Sequence, residues 1–372
     1  MTLQQRLHFN RGARLLGAIA AGLVLSGATS RREFLGTSAA IAGTLALAEL
    51  TPAQSAAPAV VPIKVGIIGL DAHAVPWTEI IHGPKAAPPI SDLRIVAAVP
   101  AYSADIPFSK ENLEKNTARM RELGVEICDT IEAMLAKVDA VMVLSIDGRP
   151  HPRQARPVFA ARKPLFIDKP VAASLVETIE IFRAAKASKT PCFSNSSLRY
   201  SPGIAGVTND PKLGRVLGCD AYGNNQSILP GHPDLFYYGI HGCEMLFTIM
   251  GPGCQTVSRV KGGTADLVTG TWTDGRVGAF RGILQGQTGF GATVFGEKGI
   301  APAGQFEGYE PLLVEIAKFF KTRKPPVSED VTIEMFAFIE AADESKRQGG
   351  KPVTLESVLA KAREAAAKKN VK

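Results

Sequence analysis

From Ile63 to about residue 190, the sequence alternates short apolar runs with longer amphipathic stretches, and this alternation limits the fold more than any other feature. The apolar runs are IKVGIIGL at 63–70, LRIVAAV at 93–99, VDAVMVLS at 138–145 and PLFID at 164–168. Helical stretches separate them, among them KENLEKNTARMRELG, IEAMLAKV, RQARPVFAAR and VETIEIFRAAKAS. Apolar strands that alternate with helices predict a parallel sheet covered by helices on both faces.

Beyond residue 190 the pattern changes to longer runs that are typical of antiparallel strands. These runs are GRVLGCDAYGN, CQTVSRVKG, ADLVTGTWTDGRVGAFRGIL and TGFGATVFGEKG. Asp274-Gly275 predicts a hairpin turn, because glycine adopts the positive φ that such turns need. Helical patterns occur at HGCEMLFTIMG and from Tyr309 onward. The sequence therefore predicts an α/β Rossmann-like doubly wound domain at 60–190, followed at 191–372 by an α+β domain with a mainly antiparallel open sheet.

The first 59 residues are predicted to be an export signal and a linker. The stretch TSRREFLGTSAAIAGTLALAEL has a twin arginine, Arg31-Arg32, followed by Phe34, Leu35 and a weakly apolar run. This order is typical of a twin-arginine signal. The alternative is a chance arginine pair before a short membrane anchor, but the apolar run of about fourteen residues is shorter than the ~20 that span a bilayer. We therefore expect the export machinery as a partner, removal of about residues 1–57, and a periplasmic location.

The charge and the cysteines argue against several functional classes. The net charge of +7 comes largely from the two ends of the chain, since residues 1–57 hold five arginines against two acids. A nucleic-acid surface needs clustered Lys and Arg on one face, so we predict no nucleic-acid partner. The five cysteines show neither C-x-x-C nor Cys/His spacing, so we expect neither a disulfide framework nor a zinc site.

Polar and charged residues follow three of the predicted parallel strands. Ligands of open parallel sheets bind beyond the carboxyl ends of the strands, so these residues are candidates for cofactor binding. They are Gly69, Asp71 and His73 after the first strand, Ser145, Asp147 and His151 after the third, and Asp168 and Lys169 after the fourth. Two sets could in principle ligate a metal, His232 with His241 and Glu244, and Asp71 with His73. Neither has zinc spacing, and we predict no metal.

Six short motifs follow one another along the chain, and their order matters as well as their sequences. They are VDAVMVLS with RPH, KPLFIDKPVAAS, SLRYSP, GIHGCEMLFTIMG, FGEKG, and a C-terminal stretch from EIAKFFKTRKPP to GGKPVTL. Together they resemble the glucose-fructose oxidoreductase and inositol dehydrogenase family (Gfo/Idh/MocA) from about Ile63 to Leu355. DKP stands where that family has EKP, and Gly239-Ile240-His241 stands where it has G-x-H. The resemblance implies NAD or NADP as cofactor, a sugar, polyol or glycoside as substrate, and a dimer or tetramer formed through the open sheet.

The resemblance also implies a hydride-transfer site at Lys169 and His241. A lysine can hydrogen-bond the substrate hydroxyl and stabilise a developing negative oxygen, and a histidine can take or give its proton near neutral pH. Pro170 is expected to hold the turn that directs Lys169, and in the family this peptide can be cis. Where the family commonly has an Asp, two positions before the glycine of G-x-H, this chain has Tyr237. A Tyr hydroxyl can donate but is a poor base. Glu244 is an acid on the same helix face as His241.

Two further departures concern the cofactor. The G-x-G-x-x-G fingerprint would need glycine at position 71, where it allows the backbone to approach the pyrophosphate. Asp71 adds a side chain and a negative charge there, and its carboxylate could instead cap the following helix. An acid that reads the ribose should follow Val99, but the chain continues Pro100-Ala101-Tyr102-Ser103, with Asp105 further on.

The favoured interpretation is an exported oxidoreductase that acts on CH–OH groups of a carbohydrate with a tightly held NAD or NADP, loaded before export. Lys169 would polarise the oxygen, His241 would move its proton, and Tyr237 would stand beside them. The alternatives are a non-catalytic sugar-binding relative that has lost dinucleotide binding, which Asp71 and Tyr237 favour, and a metal-assisted lyase or isomerase.

Overall fold

The computed structural model describes residues 61–369, apart from Ile228 and Pro230. The predicted export signal and linker lie outside the described residues. Within the described part of the chain, no helix is long and apolar enough to cross a membrane. All five cysteine side chains are buried and free.

Six parallel strands form the first sheet, in the order β3-β2-β1-β4-β5-β6. The strands are β1 (Ile63–Ile68), β2 (Leu93–Val99), β3 (Glu126–Ile127), β4 (Ala140–Val143), β5 (Leu165–Ile167) and β6 (Cys192–Phe193). The helices between them are α1 (Ala74–His82), α2 (Pro107–Glu122), α3 (Ile131–Leu135), α4 (His151–Ala160) and α5 (Leu175–Ala187). The predicted doubly wound fold is confirmed. The strand order reverses between β1 and β4, and that switch point is where such folds bind ligands.

The second sheet has seven strands, in the order β12-β11-β7-β10-β9-β8-β13. They are β7 (Val216–Asn224), β8 (Cys254–Lys261), β9 (Ala265–Trp272), β10 (Val277–Ile283), β11 (Gly291–Gly296), β12 (Ile300–Ala303) and β13 (Val353–Thr354). Only β7 and β10 pair in parallel, so the predicted mainly antiparallel sheet is confirmed. Gly275 turns the β9–β10 hairpin at a φ of +83°, as the Asp-Gly pair predicts.

Five helices complete this part of the chain. They are α6 (Pro202–Ala205), α7 (Ile240–Met250), α8 (Glu310–Thr322), α9 (Glu329–Arg347) and α10 (Leu355–Lys369). Helix α8 packs with the first sheet rather than the second, since Phe319 stacks edge-on against Phe193 at 4.8 Å. The described residues belong to one compact unit, and the division at residue 190 stays a prediction.

A buried cluster of charges fastens the second sheet to its helices. The Arg259 side chain, on β8, is fully buried and contacts three carboxylates: Asp266 on β9 at 3.0 Å, Asp343 on α9, and Asp234 at 3.1 Å. Lys346 also contacts Asp234, at 2.7 Å. Asp234 directly precedes the π-helical turn Leu235–Gly239 that leads into α7. The cluster therefore fixes the start of the segment that carries Tyr237 and His241.

Arg259→Met should lower the free energy of unfolding by about 3–5 kcal/mol, because it leaves buried carboxylates without their cation. The measurement is a denaturant titration of the variant and the wild type. Arg215→Met is the matched control, since Arg215 forms an exposed pair with Glu297, and such pairs contribute about 0–1 kcal/mol. Equal losses in the two variants would contradict the role assigned to the cluster.

Candidate active site

A cavity of about 510 Å³ opens at the carboxyl ends of the first sheet's strands. Six of its lining residues are aromatic rings other than histidine, and the polar ones are few. The lining comprises Ala72, His73, Phe108, Ile146, Lys169, Ser197, Leu198, Ser227, Leu229, Tyr237, Tyr238, His241, Phe290, Phe306 and Tyr309. Lys169, His241 and Tyr237, the three predicted catalytic residues, line this cavity together. An apolar wall with a few convergent polar groups is typical of small-molecule sites.

Lys169 is held at the edge of the cavity by the end of β5. Its side chain is almost buried, with 6 % exposed, and its Nζ lies 5.5 Å from the ring centroids of both Tyr237 and Tyr238. Burial lowers the pKa of Lys169, and the negative charge of Asp168 opposes that shift. The Lys169–Pro170 peptide is cis. The structure thus places a partly desolvated amine between two tyrosine rings, where it can meet a substrate oxygen.

Asp168 is paired with His73 across the strand ends. Its Oδ2 lies 2.5 Å from His73 Nδ1, and its Oδ1 accepts a hydrogen bond from the Lys169 backbone N–H at 2.8 Å. Burial acts to raise the pKa of Asp168, but the His73 and Lys169 charges and these hydrogen bonds bring it below its ordinary value. The His73 ring stacks on Trp77, with 4.8 Å between centroids. Asp168 is therefore an ionised group that positions its neighbours.

His241 lies in the first turn of α7, and its Nδ1 is 2.7 Å from the hydroxyl oxygen of Ser196. Burial lowers the pKa of His241 well below its ordinary value, and the positive charges of Lys169 and His73 lower it further. The ring is therefore neutral near pH 7. When Nδ1–H donates to Ser196, the Nε2 lone pair is the one that can accept a proton.

Glu244, the acid on the same helix, does not orient His241. Its Oε1 accepts hydrogen bonds from Asn195 at 2.8 Å and from Arg199. The partner of His241 is Ser196, which the sequence analysis did not identify. Ser196 lies in the SNSSLRYSP stretch, and a run of serines carries no signal for one particular contact. Tyr238 was also missed, although it directly follows Tyr237.

Gly69 is in the position that the turn after β1 requires. Its φ is +88°, and a Cβ atom there would lie 2.3 Å from the Ser145 hydroxyl oxygen. Glycine alone avoids both the strain and this clash.

Asp71 does not cap α1, and that alternative is wrong. Its Oδ2 instead accepts a hydrogen bond from the Ile146 backbone N–H at 2.9 Å, across the switch point between β1 and β4. The N-cap of α1 is His73, which makes no side-chain capping bond. Burial raises the pKa of Asp71, and the hydrogen bond from Ile146 opposes that shift.

Ser145, Asp147 and His151, the predicted cofactor contacts after β4, are bonded to the protein itself and do not line the cavity. Ser145 Oγ accepts a hydrogen bond from Gln154 at 2.9 Å. Asp147 accepts hydrogen bonds from the Ser103 hydroxyl at 2.5 Å and from the Arg149 guanidinium. The two ring nitrogens of the fully buried His151 face the carbonyl oxygens of Ser145 and Val171, at 2.9 and 3.2 Å. A cofactor contact at Ser145, Asp147 and His151 stays a prediction.

A dinucleotide in the usual position does not fit the strand ends as they are arranged here. Its pyrophosphate would contact the turn after β1, and its adenosine ribose the end of β2. Asp71, Ser145 and Asp147 are each only 2 % exposed, so their side chains offer little surface to a cofactor, while Ala72 of the same turn is exposed. The cavity beside Lys169, by contrast, is open to a small ligand.

The fold and the site together define a class of protein. It is a doubly wound α/β chain in which a lysine and a histidine converge on a cavity beyond the switch point of the first sheet. The family profile described as "Oxidoreductase family, NAD-binding Rossmann fold" (GFO_IDH_MocA) matches residues 63–196. The match covers the part of the chain that forms the first sheet and its helices, and it agrees with the family resemblance of the motifs.

Solved structures share the fold over both sheets. The chain is similar to myo-inositol dehydrogenase from Lactobacillus casei in complex with NAD(H) and myo-inositol, with 16% identity, 79% of this chain and 96% of that one covered, and a TM-score of 0.64. A probable dehydrogenase from Thermotoga maritima has 18% identity, coverages of 80% and 100%, and a TM-score of 0.65. GenD2 from gentamicin A biosynthesis, in complex with NAD, has 16% identity, coverages of 79% and 97%, and a TM-score of 0.64. No curated protein matches the sequence.

The two metal-ligand sets considered from the sequence are not assembled. Among the described residues, no group of three or more His, Cys, Asp and Glu side chains could hold a metal ion. His241 is bonded to Ser196 and Glu244 to Arg199. His73 is bonded to Asp168 rather than to Asp71.

Lys169→Met should alter the pH dependence of stability in a defined direction. The folded-state pKa of Lys169 lies below its ordinary value of 10.5, so the unfolded chain binds more protons than the folded one between those two values. Wild-type stability therefore gains from this group as the pH rises toward 10.5, and the Met variant lacks that gain.

The measurement is denaturant unfolding of both proteins at several pH values from 7 to about 10. Only their difference is interpreted, because buried cysteines and tyrosines titrate in both. Lys351→Met, at an exposed lysine, should leave the pH dependence unchanged. If the difference in unfolding free energy between the wild type and Lys169→Met were the same at every pH, the lowered pKa of Lys169 would be contradicted.

Proposed function

We propose that this chain is an exported oxidoreductase that acts on a CH–OH group of a sugar or polyol, with a nicotinamide nucleotide as the hydride partner. The observation that carries the proposal is the convergence of Lys169 and His241 on one aromatic-walled cavity at the strand ends. The match to a family profile described as NAD-binding supports it. NAD and NADP both remain candidates, since no acid directly follows β2.

Residues of this chain would bind the substrate oxygen and accept the proton of its hydroxyl group. The Lys169 ammonium hydrogen-bonds the substrate oxygen and stabilises it as negative charge develops. Neutral His241 accepts the hydroxyl proton at Nε2, and Ser196 holds the ring in place through Nδ1. The negative charge of Asp168 favours the protonated form of Lys169. Because Asp168 is already paired with His73, it takes no proton from the substrate.

The cavity lining favours a carbohydrate. Aromatic faces bind the C–H-rich faces of sugars and cyclic polyols, while a few hydroxyl and charged groups fix their orientation. Tyr237, Tyr238, Phe290 and Tyr309 provide such faces here. Two structural neighbours were crystallised with inositols, the myo- and scyllo-inositol dehydrogenases of Lactobacillus casei, which supports a polyol of similar size.

A homo-oligomer is part of the proposal. The register of the second sheet places Tyr222, Val277 and Ile300 on one face, and all three are exposed, at 43, 52 and 68 %. Helices α7 and α9 cover the opposite face. Large exposed apolar residues on a sheet face are typical of a protein–protein contact. A second copy of the chain would cover them, and the exposed Asp220 and Arg281 on the same face could pair across the contact.

The buried Asp71 favours a second candidate, a non-catalytic sugar-binding protein without dinucleotide. The two candidates differ in one observable: both bind a sugar or polyol, but only the oxidoreductase reduces nicotinamide nucleotide.

The full chain should reduce NAD⁺ or NADP⁺, at millimolar concentration, with at least one member of a panel of inositols, alditols and aldoses. Absorbance at the reduced-nicotinamide band is the readout. Lys169→Met and His241→Asn should each lower kcat by about 10²–10⁴-fold, because the first removes the cation that stabilises the substrate oxygen and the second removes the proton acceptor. Lys351→Met is the control and should match the wild type. Binding of a sugar or polyol without reduction of the nucleotide would overturn the oxidoreductase proposal and favour the second candidate.

Export should depend on the arginine pair. Changing Arg31 and Arg32 together to Lys should keep the precursor in the cytoplasm, because the twin-arginine machinery reads the pair itself. Cell fractionation and immunoblotting measure the distribution. Lys at Arg11 and Arg14 preserves the charge outside the pair and should leave export unchanged. A wild-type chain that stays cytoplasmic, or a double variant that is still exported, would contradict the proposal.

A further inference from the structure

We propose that residues 102–109, here called the bar segment, close the dinucleotide cleft of this chain, and that a nicotinamide dinucleotide binds only when the bar segment is displaced. The inference rests on the proposed function, since it concerns the cofactor of the same site. It also reconciles the match to an NAD-binding family profile with strand ends that a dinucleotide does not fit.

The bar segment follows β2 and crosses the end of β1 to reach the loop after β4. The strand order places β1 between β2 and β4. The Ser103 hydroxyl donates to Asp147 Oδ2 at 2.5 Å, and Arg149 contacts both Asp105 oxygens at 2.8 Å. These contacts join the loops that flank the end of β1, and a pyrophosphate would lie at the turn that follows this strand.

Arg149 forms the central contact between the bar segment and the loop after β4. It binds Asp105 from the bar segment and Asp147 from its own loop at the same time. Hydrogen bonds with these carboxylates raise its pKa above the ordinary arginine value. Charge-assisted bidentate contacts of this kind are the stronger class of polar contact, and this one joins the bar segment to the loop after β4.

An apolar contact anchors the centre of the bar segment. Ile106 is only 1 % exposed and forms a small buried cluster with Ile146 and Tyr237. Tyr237 is a cavity residue and Ile146 follows β4, so Ile106 occupies the boundary between the cavity and the strand ends. A dinucleotide that ran from the end of β2 to Lys169 would have to cross this point.

The turn after β1 is fastened to the same segment and to the helix behind it. The Ser109 hydroxyl acts to lower the pKa of Asp71 and accepts a hydrogen bond from the Ser103 N–H at 3.2 Å. Asn116 on α2 donates to the carbonyl oxygen of Leu70 at 2.7 Å. Asp71 in turn accepts the Ile146 N–H. The three strand ends are therefore joined by protein hydrogen bonds.

The bar segment can leave without unfolding the sheet. Tyr102, Ala104, Asp105, Pro107 and Phe108 are exposed, and only Ile106 and Ser109 are buried. The N-cap of α2 is Ile106, which makes no side-chain capping bond. Displacement would therefore break the contacts of Ser103, Asp105 and Ile106 and unwind the first turn of α2, which includes Ser109, while the strand pairing stays intact.

The test is NADH and NADPH binding to the full chain, followed by nicotinamide fluorescence. The double variant Ser103→Ala/Asp105→Ala should bind one of the two nucleotides about tenfold more tightly than the wild type or better, because the apparent Kd falls as the open fraction rises. Ile106→Ser, which weakens the apolar anchor, should act in the same direction. Glu79→Ala is the matched control, since it breaks an exposed ion pair with Arg119 of α2 away from the cleft, and it should bind as the wild type does.

Hydrogen exchange provides a measurement on the unmodified protein. Saturating NADH should increase the exchange of amides in residues 102–109, because the nucleotide displaces the bar segment. If the wild type and the double variant bind with the same Kd and hydrogen exchange does not change, the proposal that the bar segment closes the cleft is overturned. The oxidoreductase proposal then still stands. If neither protein binds either nucleotide, both proposals fail.

Discussion

The hydrogen bond from the Ile146 N–H to the Asp71 carboxylate determines how the site of this chain is arranged. It crosses the switch point of the sheet, where related doubly wound folds leave a crevice for a ligand. A buried carboxylate needs partners, because an unpaired charge in this position would cost several kcal/mol. Ile146 and Ser109 supply them, and both contacts draw neighbouring segments toward the turn after β1. One acidic side chain at a glycine position thus joins three strand ends.

Three buried carboxylates lie at these strand ends, and each is neutralised differently. Asp71 relies on hydrogen bonds, Asp147 on Arg149 and Ser103, and Asp168 on His73. Because Asp168 already has a partner, its charge compensates only part of the cost of burying Lys169, whose pKa stays below the ordinary value. The pairing of Asp168 with His73 therefore leaves part of the cost of burying the Lys169 charge uncompensated.

Much of the fold could be predicted because buried parallel strands are continuous apolar runs. The prediction for β2 matches the observed strand to the residue, while the two-residue β3 was too short to give a pattern. The lysine at the end of β5 and the histidine of α7 could be carried over from motifs. Ser196 and the bar segment could not be found that way, since their contacts join residues 44 or more positions apart. The unusual sequence after Val99 was noted, but the sequence does not show that Ser103 would reach Asp147.

Tyr237 contacts both Lys169 and the buried cluster that anchors the bar segment. Its ring lies 5.5 Å from the Lys169 Nζ, and it packs in the same buried cluster as Ile106 and Ile146. When the bar segment moves out, Tyr237 loses a packing partner on one side while it still contacts the lysine on the other. Entry of a dinucleotide is therefore coupled to the environment of the amine that would act on the substrate.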